Sequence, residues 1–214
     1  MVSAMLTDGQ TATSLLRAVV IGGSAGATEA VSAILRALPY DFAAPVFVIV
    51  HAPKDVPNLL IDLLASRVAL PLVEAEDKSP VAAGNIYIGP ADYHLLLEAD
   101  DRVSLTIDSP VHFSRPSIDV LFESAALVHG AGLIAVLLSG ANEDGARGLA
   151  AVRDRGGHTL VQDPDTAPLK TMPAAAIRLG AVEHVLTIDG IVAYLTNASL
   201  RARAGRAAIR GLRT

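Results

Sequence analysis

Ala18-Val19-Val20-Ile21-Gly22-Gly23-Ser24-Ala25-Gly26-Ala27 is the stretch on which the fold turns. An unbroken apolar run meets a glycine turn and stops. Directly behind it, Thr28 to Leu38 repeats apolar residues at helical spacing, with Ala30, Val31, Ile34, Leu35 and Leu38 on one side. Pro39 ends that helix. A second apolar run, Pro45 to Val50, halts at His51-Ala52-Pro53, and a second helix is expected over Asn58 to Arg67. Strands without polar alternation are buried on both faces, and the order strand, helix, strand, helix builds a parallel sheet. The expected fold is α/β: a doubly wound, mostly parallel sheet with helices on both faces.

The rest of the chain extends this pattern. Val73 to Glu76 and Asn85 to Ile88 read as short strands. His94 to Glu98 and Val103 to Ile107, split by Asp100-Asp101, read as a β-hairpin. Ser117 to Val128 is helical, with Ile118, Leu121, Phe122 and Ala125 on one face. Leu133 to Leu138 is a third fully apolar strand, and it opens into Ser139-Gly140-Ala141-Asn142-Glu143-Asp144-Gly145-Ala146. A helix over Ala146 to Arg155, a strand over His158 to Gln162, a helix over Ala174 to Leu179, a strand over Glu183 to Leu186 and a helix over Gly190 to Leu195 follow. No repeat or linker interrupts this series, so a single domain over residues 18–195 is expected. A flexible segment, 1–17, precedes it, and an Arg-rich tail, 196–214, follows.

Composition narrows the function. The 214 residues are 51% hydrophobic, enough for a sizeable core, and only 4% aromatic, with a formal net charge of −5. Single-stranded nucleic acid is held by basic grooves with interleaved aromatics, so nucleic acid is not the expected partner. The absence of cysteine removes thiol nucleophiles, thiolate metal sites and disulfides together. The apolar runs are far shorter than the ~20 residues of a membrane span, so no membrane insertion and a cytoplasmic location are expected.

Three polar residues follow the three apolar strands. Ser24 follows the first, His51 the second, and Asp144 lies in the loop after the third. In a parallel sheet all carboxyl ends share one edge, and that edge is where ligands bind. These residue types make a nucleophile, a general base and an orienting carboxylate. A serine hydroxyl attacks poorly until a neighbour takes its proton, and an imidazole titrates near neutrality. Gly22-Gly23-Ser24-Ala25-Gly26 is a G-x-S-x-G pattern between strand and helix, with small neighbours that let the hydroxyl stand exposed. The chain order Ser, His, Asp differs from the Ser, Asp, His of α/β-hydrolases, so that fold is not expected.

Plainer readings compete. A glycine turn after a first strand commonly binds a nucleotide phosphate. Here, however, the spacing is not G-x-G-x-x-G, and the second strand ends in His51 where a dinucleotide fold wants an acid. A lone histidine is often a core residue, and Asp144-Gly145 alone reads as a turn or helix cap. The joint placement of all three residues favours the site. His94 is expected to pack, His112 to lie in a loop lining the cleft, and His129, His158 and His184 to be structural or solvent-facing. No histidine pair has metal-ligand spacing, so neither metal nor cofactor is expected.

The motifs Ile21-Gly22-Gly23-Ser24-Ala25-Gly26, His51-Ala52-Pro53 and Gly140-Ala141-Asn142-Glu143-Asp144-Gly145-Ala146 resemble the CheB-type chemotaxis protein-glutamate methylesterase catalytic domain. So do Gly84-Asn85-Ile86-Tyr87-Ile88-Gly89-Pro90, Arg115-Pro116-Ser117-Ile118-Asp119-Val120-Leu121-Phe122, Gln162-Asp163-Pro164 and Met172-Pro173. The resemblance covers roughly Ala18 to Leu195. It implies hydrolysis of glutamate methyl esters on the cytoplasmic helices of chemoreceptors, giving glutamate and methanol, and in some members deamidation of receptor glutamines. Carried over, Ser24 is the nucleophile, His51 the base and Asp144 the orienting acid. Backbone N–H groups at Ala25 and Ala141 would hold the oxyanion. Arg115, beside the cleft, is expected either to contact acidic receptor residues or to be a structural arginine. The family often has Gln and Met around the histidine and G-M-G-x-D-G-A in the acid loop; here Val50, Ala52, Ala141 and Asn142 stand instead. Members usually carry an N-terminal receiver domain, and a stand-alone form without it is expected. Two other functions fit the same fold: a silent signalling adaptor, or an esterase or amidase with another acyl substrate.

Overall fold

The computed structural model describes residues 15–51 and 59–211. Seven strands form one sheet: β1 (Ala18–Gly23), β2 (Val46–Val50), β3 (Leu72–Glu74), β4 (Ile86–Ile88), β7 (Leu133–Leu137), β8 (His158–Gln162) and β9 (His184–Leu186). Every pairing in it is parallel, in the order β3-β4-β2-β1-β7-β8-β9. The intervening β5 (His94–Glu98) and β6 (Arg102–Thr106) pair antiparallel as the expected hairpin, apart from the sheet. Winding runs outward from β1 through β2 on one side and from β7 through β8 on the other. The strand order therefore reverses between β1 and β7, and the crevice at such a reversal is where open α/β sheets bind ligands.

Alternation along β1 shows why its run is continuous. Val19 and Ile21 point into one core, packed with α1 (Thr28–Ala37), α2 (Leu59–Leu64) and α6 (Ile188–Gly211). Ala18 and Val20 point into the other, packed with α3 (Ile118–His129), α4 (Ala146–Asp154), α5 (Thr171–Arg178) and the hairpin. Along β7, Ile134 and Val136 face the first core and Leu133, Ala135 and Leu137 the second. Two buried faces leave a strand no position for a polar side chain.

The α6 helix extends well past the expected Leu195 and takes in most of the Arg-rich tail. Its buried residues there are small, Ala198, Ser199 and Ala202, so apolar periodicity is faint. Tertiary contacts hold it: Ser199 Oγ accepts the Ala43 N–H at 2.8 Å, Arg206 donates to the Leu16 carbonyl, and Arg203 pairs with Asp41. Arg213 lies outside the described residues, as does the side chain of Arg210. At the other end, residues 1–14 of the expected flexible segment also lie outside them, whereas Leu16 is buried in the first core and Arg17 N–H donates to the Gly132 carbonyl. Ala52, Pro53 and the expected helix start at Asn58 are likewise outside.

Candidate active site

Ser24 is the first residue beyond β1, and its N–H donates to the Ser139 carbonyl beyond β7 at 2.9 Å. His51 is the first residue beyond β2, and its N–H donates to the Gly23 carbonyl at 3.0 Å. These two bonds continue the parallel ladders past the strand ends, so the tips of β1, β2 and β7 stand side by side. Gly22 is needed where α3 crosses this edge: a Cβ there would lie 2.3 Å from Ile118 Cγ2. Gly26 takes φ +78°, a conformation side chains rarely adopt, and so turns the chain from Ser24 towards α1.

Asp144 is fully buried and surrounded by donors. Its Oδ1 accepts the Ser117 hydroxyl at 2.8 Å and the Asp119 N–H at 3.0 Å, and its Oδ2 accepts the Ile118 N–H at 2.8 Å. The carboxylate thus sits on the N-terminus of α3, where helical N–H groups have no internal partner and a negative charge is favoured. His51 Nε2 lies 2.9 Å from Oδ2, with its N–H direction off the line to that oxygen. Burial pushes the Asp144 carboxyl up, but the His51 contact, the Asp119 and Ile118 N–H bonds and the His51 charge outweigh it and hold the group below its ordinary range. Asp144 is an anion held in place, able to orient an imidazole and to stabilise an imidazolium.

The other nitrogen of His51, Nδ1, is 3.3 Å from the hydroxyl of Ser114. Ser24 is half-buried, and its hydroxyl makes no side-chain hydrogen bond among the described residues. The structure therefore gathers Ser24, His51 and Asp144 at one edge, with the His51 and Asp144 side chains in contact and the serine hydroxyl uncommitted. Ala25 and Ala141 are both exposed on this rim, and their N–H groups donate to no carbonyl among the described residues. Ala141 follows Gly140, whose N–H and carbonyl are fixed by Leu169 and Met172.

Arg115 is committed to the fold. Its Nε and Nη2 donate to Asp92 Oδ1 at 3.1 and 2.8 Å, and its Nη1 donates to the Ile107 and Asp108 carbonyls. His94 packs as expected: it is 1% exposed, and its Nδ1 accepts the Ser117 N–H. His112 approaches the buried Asp119, with Nε2 3.5 Å from Oδ2. Burial pushes the Asp119 carboxyl up, against the Gly148 N–H bond. Among the described residues no group of three or more His, Asp or Glu is arranged to hold a metal ion.

Three serines that position this site escaped the sequence reading as site residues. Ser117 caps α3 and binds Asp144, and a serine before an apolar helical run is a recognisable cap signal. The Ser139 hydroxyl donates to the Ala25 carbonyl at 2.9 Å and accepts the Leu169 N–H at 3.0 Å, tying the serine turn to two other loops. Ser114 carries no local signal, because its partner is 63 residues away.

Comparison with known proteins places the chain in a family. A family model described as CheB methylesterase matches residues 19–195. A Leptospira interrogans relative, provisionally named protein-glutamate methylesterase/protein-glutamine glutaminase, is 42% identical over 174 residues, 81% of this chain and 90% of that one. The Symbiobacterium thermophilum protein-glutamate methylesterase/protein-glutamine glutaminase is 37% identical over 182 residues, 85% of this chain and 50% of that one. The crystal structure of the Thermotoga maritima CheB methylesterase catalytic domain superposes with a TM-score of 0.82 at 32% identity, covering 85% of this chain and 98% of that one. With nearly its whole sheet inside the family match, the chain belongs to the CheB methylesterase family.

Proposed function

We propose that this protein is a protein-glutamate methylesterase that demethylates glutamate side chains on the cytoplasmic helices of chemoreceptors, releasing methanol, and that it also deamidates glutamines at such positions. The observation that carries the reading is the buried Asp144 carboxylate, 2.9 Å from His51 Nε2, at the same strand edge as Ser24, whose hydroxyl bonds to no side chain among the described residues. The names of the relatives supply the substrate class.

In the proposed reaction, Ser24 Oγ attacks the ester carbonyl carbon while His51 takes its proton. The oxyanion is met by the N–H groups of Ala25 and Ala141. The carbon–methoxy bond breaks, His51 returns the proton, and methanol leaves. Water then attacks the acyl-enzyme with His51 again as base, which frees glutamate and Ser24. Asp144 holds the imidazole throughout and offsets its charge. For an amide, ammonia leaves in place of methanol. No helix of the described residues is long and apolar enough to cross a membrane, which suits a protein meeting receptors from the cytoplasm.

The test is methanol release from a methylated receptor fragment by the wild type and by Ser24→Ala. Release lost in the variant, with an unchanged melting temperature, is the expected result. Release that persists overturns the nucleophile. A wild type whose serine reacts with a fluorophosphonate yet releases no methanol is an acyl hydrolase with another substrate.

A further inference from the structure

We propose that Ser114 guards the base: its hydroxyl occupies His51 Nδ1 at rest and has to give that nitrogen up before Ser24 is deprotonated, a cost relieved by a substrate large enough to bear on the 111–114 turn. The inference rests on the reading of His51 as base and adds how that base is controlled. Three features carry it. The Ser114 hydroxyl lies 3.3 Å from Nδ1. The other nitrogen, Nε2, faces Asp144 at 2.9 Å but out of line. Ser24 Oγ bonds to no side chain among the described residues. With Asp144 ionised, the proton of a neutral imidazole belongs on Nε2, so Nδ1 carries the lone pair. The lone pair that must take the serine proton is the one that faces the Ser114 hydroxyl, whose alternative acceptor is the His112 carbonyl at 3.5 Å.

The turn is suited to yielding. Val111 and Ser114 pair through N–H to carbonyl bonds of 3.1 and 2.8 Å, and the residues between them, His112 and Phe113, take φ 48° and 62°. Residues with a Cβ rarely adopt that region, and turns of this shape favour Asn and Gly. Two side-chain contacts hold the turn against the rest of the protein: His112 near Asp119 and Ser114 on His51. The Phe113 ring at the tip is fully exposed, so an incoming protein surface meets it first. A small ester that fills only the cleft does not reach the tip. An interaction made at rest and given up in the transition state slows the reaction, so Ser114 costs rate with small substrates and little with large ones. Ser114 is a positioning residue that acts through His51.

The experiment follows fluorophosphonate labelling of Ser24 in the wild type, Ser114→Ala and Ser114→Thr. Hydrolysis of a blocked glutamate γ-methyl ester and of a methylated receptor fragment is measured beside it. Labelling and small-ester hydrolysis are expected to rise about fivefold in Ser114→Ala, the equivalent of one neutral hydrogen bond. Ser114→Thr keeps the hydroxyl and is expected to behave as wild type, and methanol release from the fragment is expected to rise less than small-ester hydrolysis. Labelling that is unchanged or slower in Ser114→Ala overturns the guard. So does a Thr variant as fast as the Ala variant. Equal gains on both substrates overturn the selectivity. A wild type that is never labelled overturns the nucleophile and the guard together, whereas labelling without methanol release refutes only the substrate.

Discussion

Replacing Asp144 by Asn removes one charge and almost no volume, and the surroundings of Asp144 dictate the result. All four contacts of the carboxylate are with donors: the Ser117 hydroxyl, the Ile118 and Asp119 N–H groups, and His51 Nε2. An amide brings two hydrogens into that set. With its NH2 at the Oδ1 position, it meets the Asp119 N–H head-on, although the Ser117 hydroxyl can turn to accept. With its NH2 at the Oδ2 position, it meets the Ile118 N–H and forces the proton of His51 onto Nδ1. Either way one buried donor of α3 loses its acceptor, at about 1–3 kcal/mol of stability. The first choice leaves His51 without a counter-charge, and the second leaves it in the wrong tautomer. In the serine proteases the same exchange lowers kcat by about 10⁴, about 5.4 kcal/mol of transition-state stabilisation at 1.36 kcal/mol per tenfold. The assay is kcat/KM for methanol release, with urea unfolding in parallel. A variant within tenfold of the wild type would refute the orienting role. The stability difference should also vary with pH. The folded Asp144 carboxyl is held below its ordinary range, so its contribution is complete above the unfolded pKa, ~4 for Asp, and is lost as pH falls through the folded value. The two unfolding curves should converge in acid.

Gly22→Ala places a methyl 2.3 Å from Ile118 Cγ2, against the helix end that holds Asp144. A loss of about 1–3 kcal/mol in urea unfolding, with activity falling further than stability explains, is expected; a variant as stable as wild type would show that α3 moves freely. Arg115→Ala removes the Asp92 pair and two carbonyl bonds. A lower unfolding midpoint with unchanged affinity for a receptor fragment is expected of this clamp, and weakened affinity would instead establish the substrate contact.

The strands and the placing of Ser24, His51 and Asp144 at one edge were legible because local pattern carries them. A strand buried on both faces is apolar throughout, and a parallel sheet sends every strand's carboxyl end to one edge. The same argument missed the length of α6, whose later buried positions are Ala198, Ser199 and Ala202. Small residues bury too little apolar surface to set a period, and the helix is held by partners such as Ala43 and Leu16 that adjacent sequence does not reveal.

Sequence by itself determined which residues stand at the carboxyl edge and which chemistry their types permit. Tertiary structure decided how they are held. The α3 N-terminus reaches Asp144 because Gly22 lets Ile118 come close. The Arg115 guanidinium went to Asp92 and two carbonyls because the loop before α3 folds back on them. Nδ1 of His51 went to Ser114 because a turn 63 residues away in sequence lies against it. Hydrogen bonds select by distance and direction, and chain folding alone sets those for residues far apart in sequence.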